Sequence, residues 1–386
     1  MKNNNVFFYM FIFVWIVLVI LNIFTPKKEF SEQENRYLAK VPEFSMEKLI
    51  SGEYSNEMND YINDHFVFRD IWVKMNSFTQ VITGKTENNG VYIGKDGYLF
   101  EKVEMAQKEI DNLEFCAKRM NSIAENLDVP VYSIIVPNSI YINQDKLPDY
   151  ITSYDQSEVI ELMYSYMENI ENINVVDSII EKNKTEQLYF KTDHHMTSKG
   201  SYVLYENFAD TLKITYYNDF EIEKVSDSFL GTFDAKAQVY NQEKDEICVY
   251  KNSYNQNLDR VVYDYETTKS IFNEEYLGKR DKYSYFLNGN NSKVEIYTKQ
   301  DNGRKLLLIK DSYSHNFIQF ICGNFEEIHI IDPRYYRANI KDYVEKNDIT
   351  EVLFLYNISN LSKDIGLRNI RWFTIIKHWQ CFELKI

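Results

Sequence analysis

Lys305-Leu306-Leu307-Leu308-Ile309-Lys310-Asp311-Ser312-Tyr313 is an apolar run of strand length that stops on a cluster of polar residues. A strand half-exposed to water alternates, whereas one buried on both faces reads as a continuous apolar run. Glu327 to Ile331 and Glu351 to Tyr356 repeat the pattern downstream, and Val131-Tyr132-Ser133-Ile134-Ile135-Val136, stopped by Pro137, shows it upstream. Ahead of that strand Val103, Ala106, Ile110, Leu113, Ala117, Met120, Ala124 and Leu127 recur at steps of three and four, the period of one helical face. Helix followed by buried strand is half of a βαβ unit. Val159, Leu162, Met163, Tyr166, Met167 and Ile170 predict a second helix before a short strand at Ile173 to Val176. A third helix starts near Thr197 or Ser198, either a good cap, and buries Val203, Leu204, Phe208 and Leu212. The fold class is therefore α/β, a parallel sheet flanked by helices.

The remaining segments fit around that sheet. Residues 1–24 read as an anchor and 25–100 as a stalk and N-terminal extension. Residues 101–386 read as the α/β domain, with a β-rich insertion at about 216–300 where no helical period persists. Within the extension, Val91 to Phe100 reads as two short strands around a Lys95-Asp96-Gly97 turn, and Asn302-Gly303 as a hairpin turn leading into the Lys305 strand.

At 386 residues with 44% hydrophobic content the chain can build a large core, and 12 glycines and 6 prolines exclude linker-like readings. A net charge of -15 repels phosphate backbones, so nucleic acid is not an expected partner. Cys116, Cys248, Cys322 and Cys381 lie far apart without a C-x-x-C, which disfavours zinc-finger, iron-sulfur and dithiol chemistry. They could form two disulfides, though a domain of this size does not need them. Val6 to Phe24 is an uncharged run of 19 residues. As a helix it would be roughly 28 Å long, which matches the hydrocarbon of a bilayer. Asn22-Ile23-Phe24-Thr25-Pro26 lacks the small residues of a signal-peptidase site, so the run reads as a retained single-pass anchor. Lys2 before it and Lys27-Lys28 after it do not decide its orientation. The orientation adopted puts the N-terminus in and the domain outside.

Ligands of open parallel sheets sit beyond the carboxyl ends of the strands. Those ends carry Pro137-Asn138-Ser139, Asp177-Ser178, Asp311-Ser312-Tyr313-Ser314-His315, Asp332-Pro333-Arg334 and Asn357. A serine between a strand and a helix start has an exposed hydroxyl beside free amides, the arrangement of a nucleophile turn. Thr192-Asp193-His194-His195-Met196-Thr197 precedes the third helix, and residues two apart in an extended segment face the same way. Asp193 can therefore orient the imidazole of His195. An acid, a base and a distant serine make the hydrolase and acyltransferase constellation. Asp193 could equally serve as a cap, and a metal site from Asp193, His194, His195 and His315 is the weaker alternative.

Beyond these residues, several motifs follow one another in a familiar order: Glu34-Asn35-Arg36-Tyr37-Leu38, Asp64-His65-Phe66 with Arg69-Asp70, Val91 to Phe100, Asp193-His194-His195, Gly289-Asn290, Lys310-Asp311-Ser312-Tyr313 and Asp332-Pro333-Arg334-Tyr335-Tyr336. The sequence resembles the DHHW family, related to the alginate O-acetylation proteins of SGNH-hydrolase-like fold. Met196 stands where the family name has Trp, a position suited to packing. The resemblance implies a triad of Asp193, His195 and Ser312, with no cofactor and no metal, acting as a membrane-anchored O-acetyltransferase. The acceptor would be a hydroxyl of an exported or cell-surface polysaccharide, and a membrane-bound MBOAT-type acyltransferase would be the acetyl source. Asn290, Asn138, Tyr313 and Arg334 are the oxyanion or substrate candidates. A deacetylating esterase and a non-catalytic polysaccharide-binding protein are the competing readings. An ordinary histidine pKa of about 6.5 would make the rate climb between mildly acidic and neutral pH.

Overall fold

Alternation inside the apolar runs decides the layering. Ile134, Val136, Leu306, Leu308, Ile328, Leu353 and Leu355 enter one core, while Val131, Ile135, Leu307, Ile309, Val352 and Phe354 enter the other. Successive residues of each strand thus serve opposite faces, and both faces are covered. The computed structural model describes residues 2–337, 339–368 and 370. Its large sheet has eight strands, numbered in chain order β1 (Val131–Val136), β2 (Glu171–Asn172), β3 (Arg260–Val262), β4 (Thr267–Thr268), β5 (Lys293–Tyr297), β6 (Lys305–Lys310), β7 (Glu327–Ile331) and β8 (Glu351–Asn357). They lie in the order β4-β3-β5-β7-β6-β8-β1-β2. Strands β7, β6, β8, β1 and β2 are parallel neighbours, and β5, β3 and β4 extend the sheet through antiparallel pairings. The expected parallel sheet is therefore its centre, and the late part of the β-rich insertion supplies one edge.

Helix Ser198–Leu212 covers the first core through Val203, Leu204 and Phe208. Thr197 is its cap, its hydroxyl accepting from the Gly200 amide at 3.3 Å. Helices Gln107–Ala124 and Gln156–Ser165 cover the second through Leu113, Cys116, Met120, Ile160 and Met163. Burying each large aliphatic side chain contributes on the order of 2 kcal/mol, so this double covering is the main force holding the strand ends in register.

Four local readings are corrected. The helix predicted from Val103 to Leu127 is confined to Gln107–Ala124, with Ala106 at its N-cap. The strand expected at Ile173 to Val176 pairs instead at Glu171–Asn172, and Val176 already opens a helix to Asn183. Asp177-Ser178 is consequently the first turn of a helix and leaves the list of strand ends. Gly303 does adopt a positive φ of 69°, but β5 pairs with β7 rather than β6, so Asn302-Gly303 joins strands that are not neighbours. The Val91–Ile93 and Leu99–Glu101 hairpin forms as read, with Asp96 and Gly97 at positive φ.

Helix Lys2–Phe24 contains the run Val6–Phe24, which is long and apolar enough to cross a membrane and has no residue buried against the rest of the protein. Its end is tied down: the Val67 amide donates to Asn22 Oδ1 at 3.1 Å, and Lys27 Nζ donates to the His65 carbonyl at 3.2 Å. Nearby, Arg36 pairs with Glu34 and Asp64, and Arg69 with Glu34, so the charged motifs of the extension form one network. Cys116, Cys248 and Cys322 are free thiols, and Cys381 lies outside the described residues.

Candidate active site

Parallel register puts the polar ends of β1, β6, β7 and β8 on one edge. Lys310 is paired with Leu355 and Asn357 with Val136, so Asp311-Ser312, Asp332, Asn357 and Asn138 emerge together. Asp311 fixes the turn after β6: its carboxylate accepts from the Tyr313 amide, the Asn357 amide and Asn360 Nδ2, each at 2.9 Å. Ser312 then begins a single 3-10 turn, and only four residues of α-helix, Ile318–Ile321, follow. The helix expected directly after the serine is replaced by that turn. Among the described residues the Ser312 amide has no hydrogen-bond partner, which leaves one N–H free beside the hydroxyl.

The second element arrives from the segment before Ser198. Asp245 accepts from the amides of Lys191 and Thr192 and from the Thr192 hydroxyl, which ties down residues 191–195; these run as successive bends and not as the extended segment expected. Asp193 Oδ1 accepts from the His195 amide at 3.0 Å and lies 2.6 Å from His195 Nδ1, while Oδ2 accepts from the Thr232 amide at 2.7 Å. His195 Nε2 lies 2.8 Å from Ser312 Oγ. The three side chains make one continuous relay, and the Asp193 contact assigns the proton to Nδ1, leaving Nε2 as acceptor. All three are nearly buried, Ser312 being 8% exposed, His195 6% and Asp193 1%.

Burial disfavours charge on both members of the acid-base pair. It pushes His195 down to about 4, an effect increased by the neighbouring His194 and opposed by Asp193. The imidazole is thus neutral near pH 7 and able to accept a proton, which corrects the ordinary value assumed from sequence. For Asp193 burial acts upward, yet the two histidines and the donated hydrogen bonds outweigh it and hold the carboxyl below its usual range.

Three residues that the sequence reading did not single out complete the cradle. Tyr283 stacks on the His195 ring with centroids 3.7 Å apart and planes 11° apart, and its hydroxyl donates to the Ser312 carbonyl at 3.1 Å. Thr232 donates to Asp193 and also lies 2.8 Å from His194 Nδ1. Gly231 is a packing requirement, since a Cβ there would fall 2.3 Å from the Asp193 Cβ. All three come from the β-rich insertion, and no local motif marks them.

The remaining candidates divide into two groups. Tyr313 is buried and its hydroxyl donates to the His194 carbonyl, so it braces the 193–195 segment from below. Asn138 is held between Asn357 Oδ1 at 3.3 Å and the Ser359 hydroxyl at 2.9 Å, without a hydrogen bond to Ser312. Arg334 grips the buried Asp332 through Nε and Nη2, and Nη2 reaches Asn290 Oδ1 at 3.3 Å. Buried Lys310 lies 3.2 Å from Asp332 and 2.8 Å from His315 Nε2, so His315 belongs to this support and not to the Asp193 cluster. Met196 is buried, and its carbonyl accepts from Asn316 Nδ2 at 2.8 Å, a packing role as read. Potential ligand atoms of Asp193, His194 and His195 lie within 4.8 Å of one another. His195 Nε2 faces Ser312 Oγ, and both Asp193 oxygens already accept hydrogen bonds.

A mixed α/β sheet carrying an Asp-His-Ser relay at the carboxyl ends of its strands has the arrangement of proteins that move acyl groups through a serine. The family model of the DHHW proteins matches residues 116–331, and the chain belongs to that family. A DHHW family protein from Eubacterium siraeum superposes with a TM-score of 0.64 at 23% identity, covering 75% of this chain and 98% of its own. Bacillus cereus PatB1 with a sulfonyl adduct superposes with a TM-score of 0.61 at 20% identity, covering 73% and 98%. The O-acetyltransferase domain of Pseudomonas putida AlgJ aligns at 0.47 and 12% identity over 71% and 93%. No curated protein matches the chain.

Proposed function

We propose that this protein is a membrane-anchored O-acetyltransferase of SGNH-hydrolase-like fold that works outside the cytoplasm on an exported or cell-surface polysaccharide. The observation that carries the reading is the unbroken relay from Asp193 through His195 to Ser312, at 2.6 and 2.8 Å. His195 Nε2 takes the Ser312 proton as Oγ attacks the acetyl carbonyl, and returns it to the departing donor group. The same nitrogen then takes the proton of a sugar hydroxyl as that oxygen attacks acetyl-Ser312, and the serine leaves protonated. The free Ser312 amide is the donor beside the hydroxyl for the oxyanion, and the Nδ2 groups of Asn138, one of whose hydrogens goes to Asn357 Oδ1, and of Asn290 are the further candidates. Exposed Tyr335, with the Arg334 guanidinium 5.4 Å from its ring centre, offers a face on which a sugar can stack.

The donor side of the cycle needs acetyl delivered across the bilayer, the task of an MBOAT-type partner. Adding an acceptor oligosaccharide to protein turning over an activated acetyl ester should divert acetyl from water to sugar. Hydrolysis that stays unchanged at every acceptor concentration would mark an esterase instead.

The length of Val6–Phe24 supports anchoring, and the ease with which large domains translocate supports the N-terminus inside. Protease added to wall-stripped intact cells should digest the domain and spare a short N-terminal fragment. Complete protection of the domain would overturn the exterior placement.

A further inference from the structure

A wide cleft lies away from Ser312. It has a volume of about 940 Å³ and lies where the extension meets the insertion, lined by residues 25–28 and 64–71 on one side and by 278–282 on the other. Eight Lys or Arg residues line it against three Asp or Glu, in a chain whose net charge is -15. Two of the cations are committed, Arg69 to Glu34 and Arg280 to Asp234. Lys28, Lys74 and Lys244 form no ion pair among the described residues, and Lys279 meets only the Tyr276 ring. Of the acids, Asp64 is already held by Arg36 and Arg69. Glu32 and Asp70 remain in the lining, so cations drawn from four separate stretches of chain converge in excess of the acids beside them.

Position identifies the counter-ion. Thr25 follows directly on the last residue of the apolar run, and an extended residue spans at most about 3.6 Å, so Lys28 lies within about 14 Å of the hydrocarbon edge. That distance is comparable to the headgroup layer. The wall formed by Lys27 and Lys28 is further tied to Asn22 and His65, so the cleft stays at the end of the helix. Phe66, Phe68 and Ile71 line the same cleft with exposed apolar side chains. Fixed cations beside apolar groups, level with the membrane surface, suit an anionic amphiphile.

We propose that this cleft binds the phosphate headgroup of an anionic phospholipid and seats the domain on the bilayer. The proposal rests on the anchor reading above. Its chemical logic is charge neutralisation: a phosphodiester balances the excess of cations over acids in the lining, while the acyl chains remain in the bilayer against the aromatic rim. Residues 228–231 and 278–282 line the cleft or adjoin it and lead directly into Thr232 and Tyr283, so an occupied cleft also steadies the segments that hold Asp193 and His195.

The full chain, reconstituted in nanodiscs of phosphatidylcholine alone or mixed with phosphatidylglycerol, should be reductively methylated and its lysines read by mass spectrometry. Lys28, Lys74, Lys244 and Lys279 should react several-fold more slowly in the anionic discs, with Lys108 and Lys346 unchanged, and high salt should erase the difference. Lys74→Gln combined with Lys244→Gln should weaken the protection left at Lys28 and Lys279, by about fivefold per lysine removed. Equal labelling in the two discs, with the chain inserted in both, overturns the lipid site and leaves the anchor standing. Failure to insert in either overturns the anchor and the headgroup site together. Equal protection in neutral discs by inorganic phosphate, or by an acidic polysaccharide, overturns a lipid in favour of that soluble anion.

Discussion

Ser312→Ala is expected to abolish the burst of leaving group that the protein gives with an activated acetyl ester. The relay admits no substitute: His195 Nε2 is 2.8 Å from Ser312 Oγ, whereas Ser314 is fully buried and donates its hydroxyl to the Asp311 carbonyl at 3.1 Å. Ser314→Ala should therefore lower the burst without removing it, through the loss of one hydrogen bond worth about 1 kcal/mol to the turn. Peptide mass spectrometry of the trapped intermediate should place the acetyl group on Ser312. Acetyl found on Ser314, or on neither serine while turnover continues, would sink the mechanism. The pH profile carries an independent signature. A base pushed down to about 4 is lost only as pH falls through that value, so the burst rate should stay flat from neutral to about pH 5 and then fall. The same shift acts on stability: the unfolded histidine binds a proton near pH 6.5 and the folded one does not, so His195 makes the protein progressively less stable between about pH 6.5 and 4. A midpoint near 6.5 in the rate profile would mean that the imidazole is hydrated and outside the relay.

What could be read in advance tracks how local each determinant is. Strands β1, β6, β7 and β8 were legible because burial on both faces writes a continuous apolar run, and Thr197 because a cap acts within four residues of itself. Asp193 and His195 were legible as a pair, but not for the reason read: the segment bends, and Asp193 Oδ1 reaches the imidazole by first accepting from the His195 amide two residues on. Their meeting with Ser312 required the shared strand edge and the family motifs together. Tyr283, Thr232 and Gly231 left no such trace, since each acts on a residue about 40 to 90 positions away through folding of the insertion. The pairing of β5 with β7 was hidden for the same reason, because register between distant strands is set by the whole sheet. The depressed pKa of His195 was likewise unreadable, because it is a property of burial and not of residue type.

Asp193→Asn should cut turnover by roughly 10⁴ while leaving the fold intact, the scale seen when a triad loses its tautomer. The hydrogen bonds explain why an amide cannot stand in. Asp193 Oδ1 meets both the His195 amide and Nδ1, and Oδ2 meets the Thr232 amide, so the site needs acceptors on both sides. If the Asn carbonyl faces Thr232, its NH₂ donates to His195 Nδ1, and the ring proton is forced onto Nε2, where it points at Ser312 and blocks base catalysis. If the carbonyl faces His195, the NH₂ confronts the Thr232 N–H, leaving two buried donors opposed at a cost of about 1–3 kcal/mol. The first orientation removes the base and the second strains the insertion that carries Gly231. Circular dichroism should show native secondary structure in the variant, and thermal unfolding only a modest decrease. Chelators supply the opposing test: activity of the unmodified protein lost to chelation and restored by zinc would assign Asp193, His194 and His195 to a metal. Resistance to chelators, together with the Asn defect, is the outcome that the committed oxygens of Asp193 require.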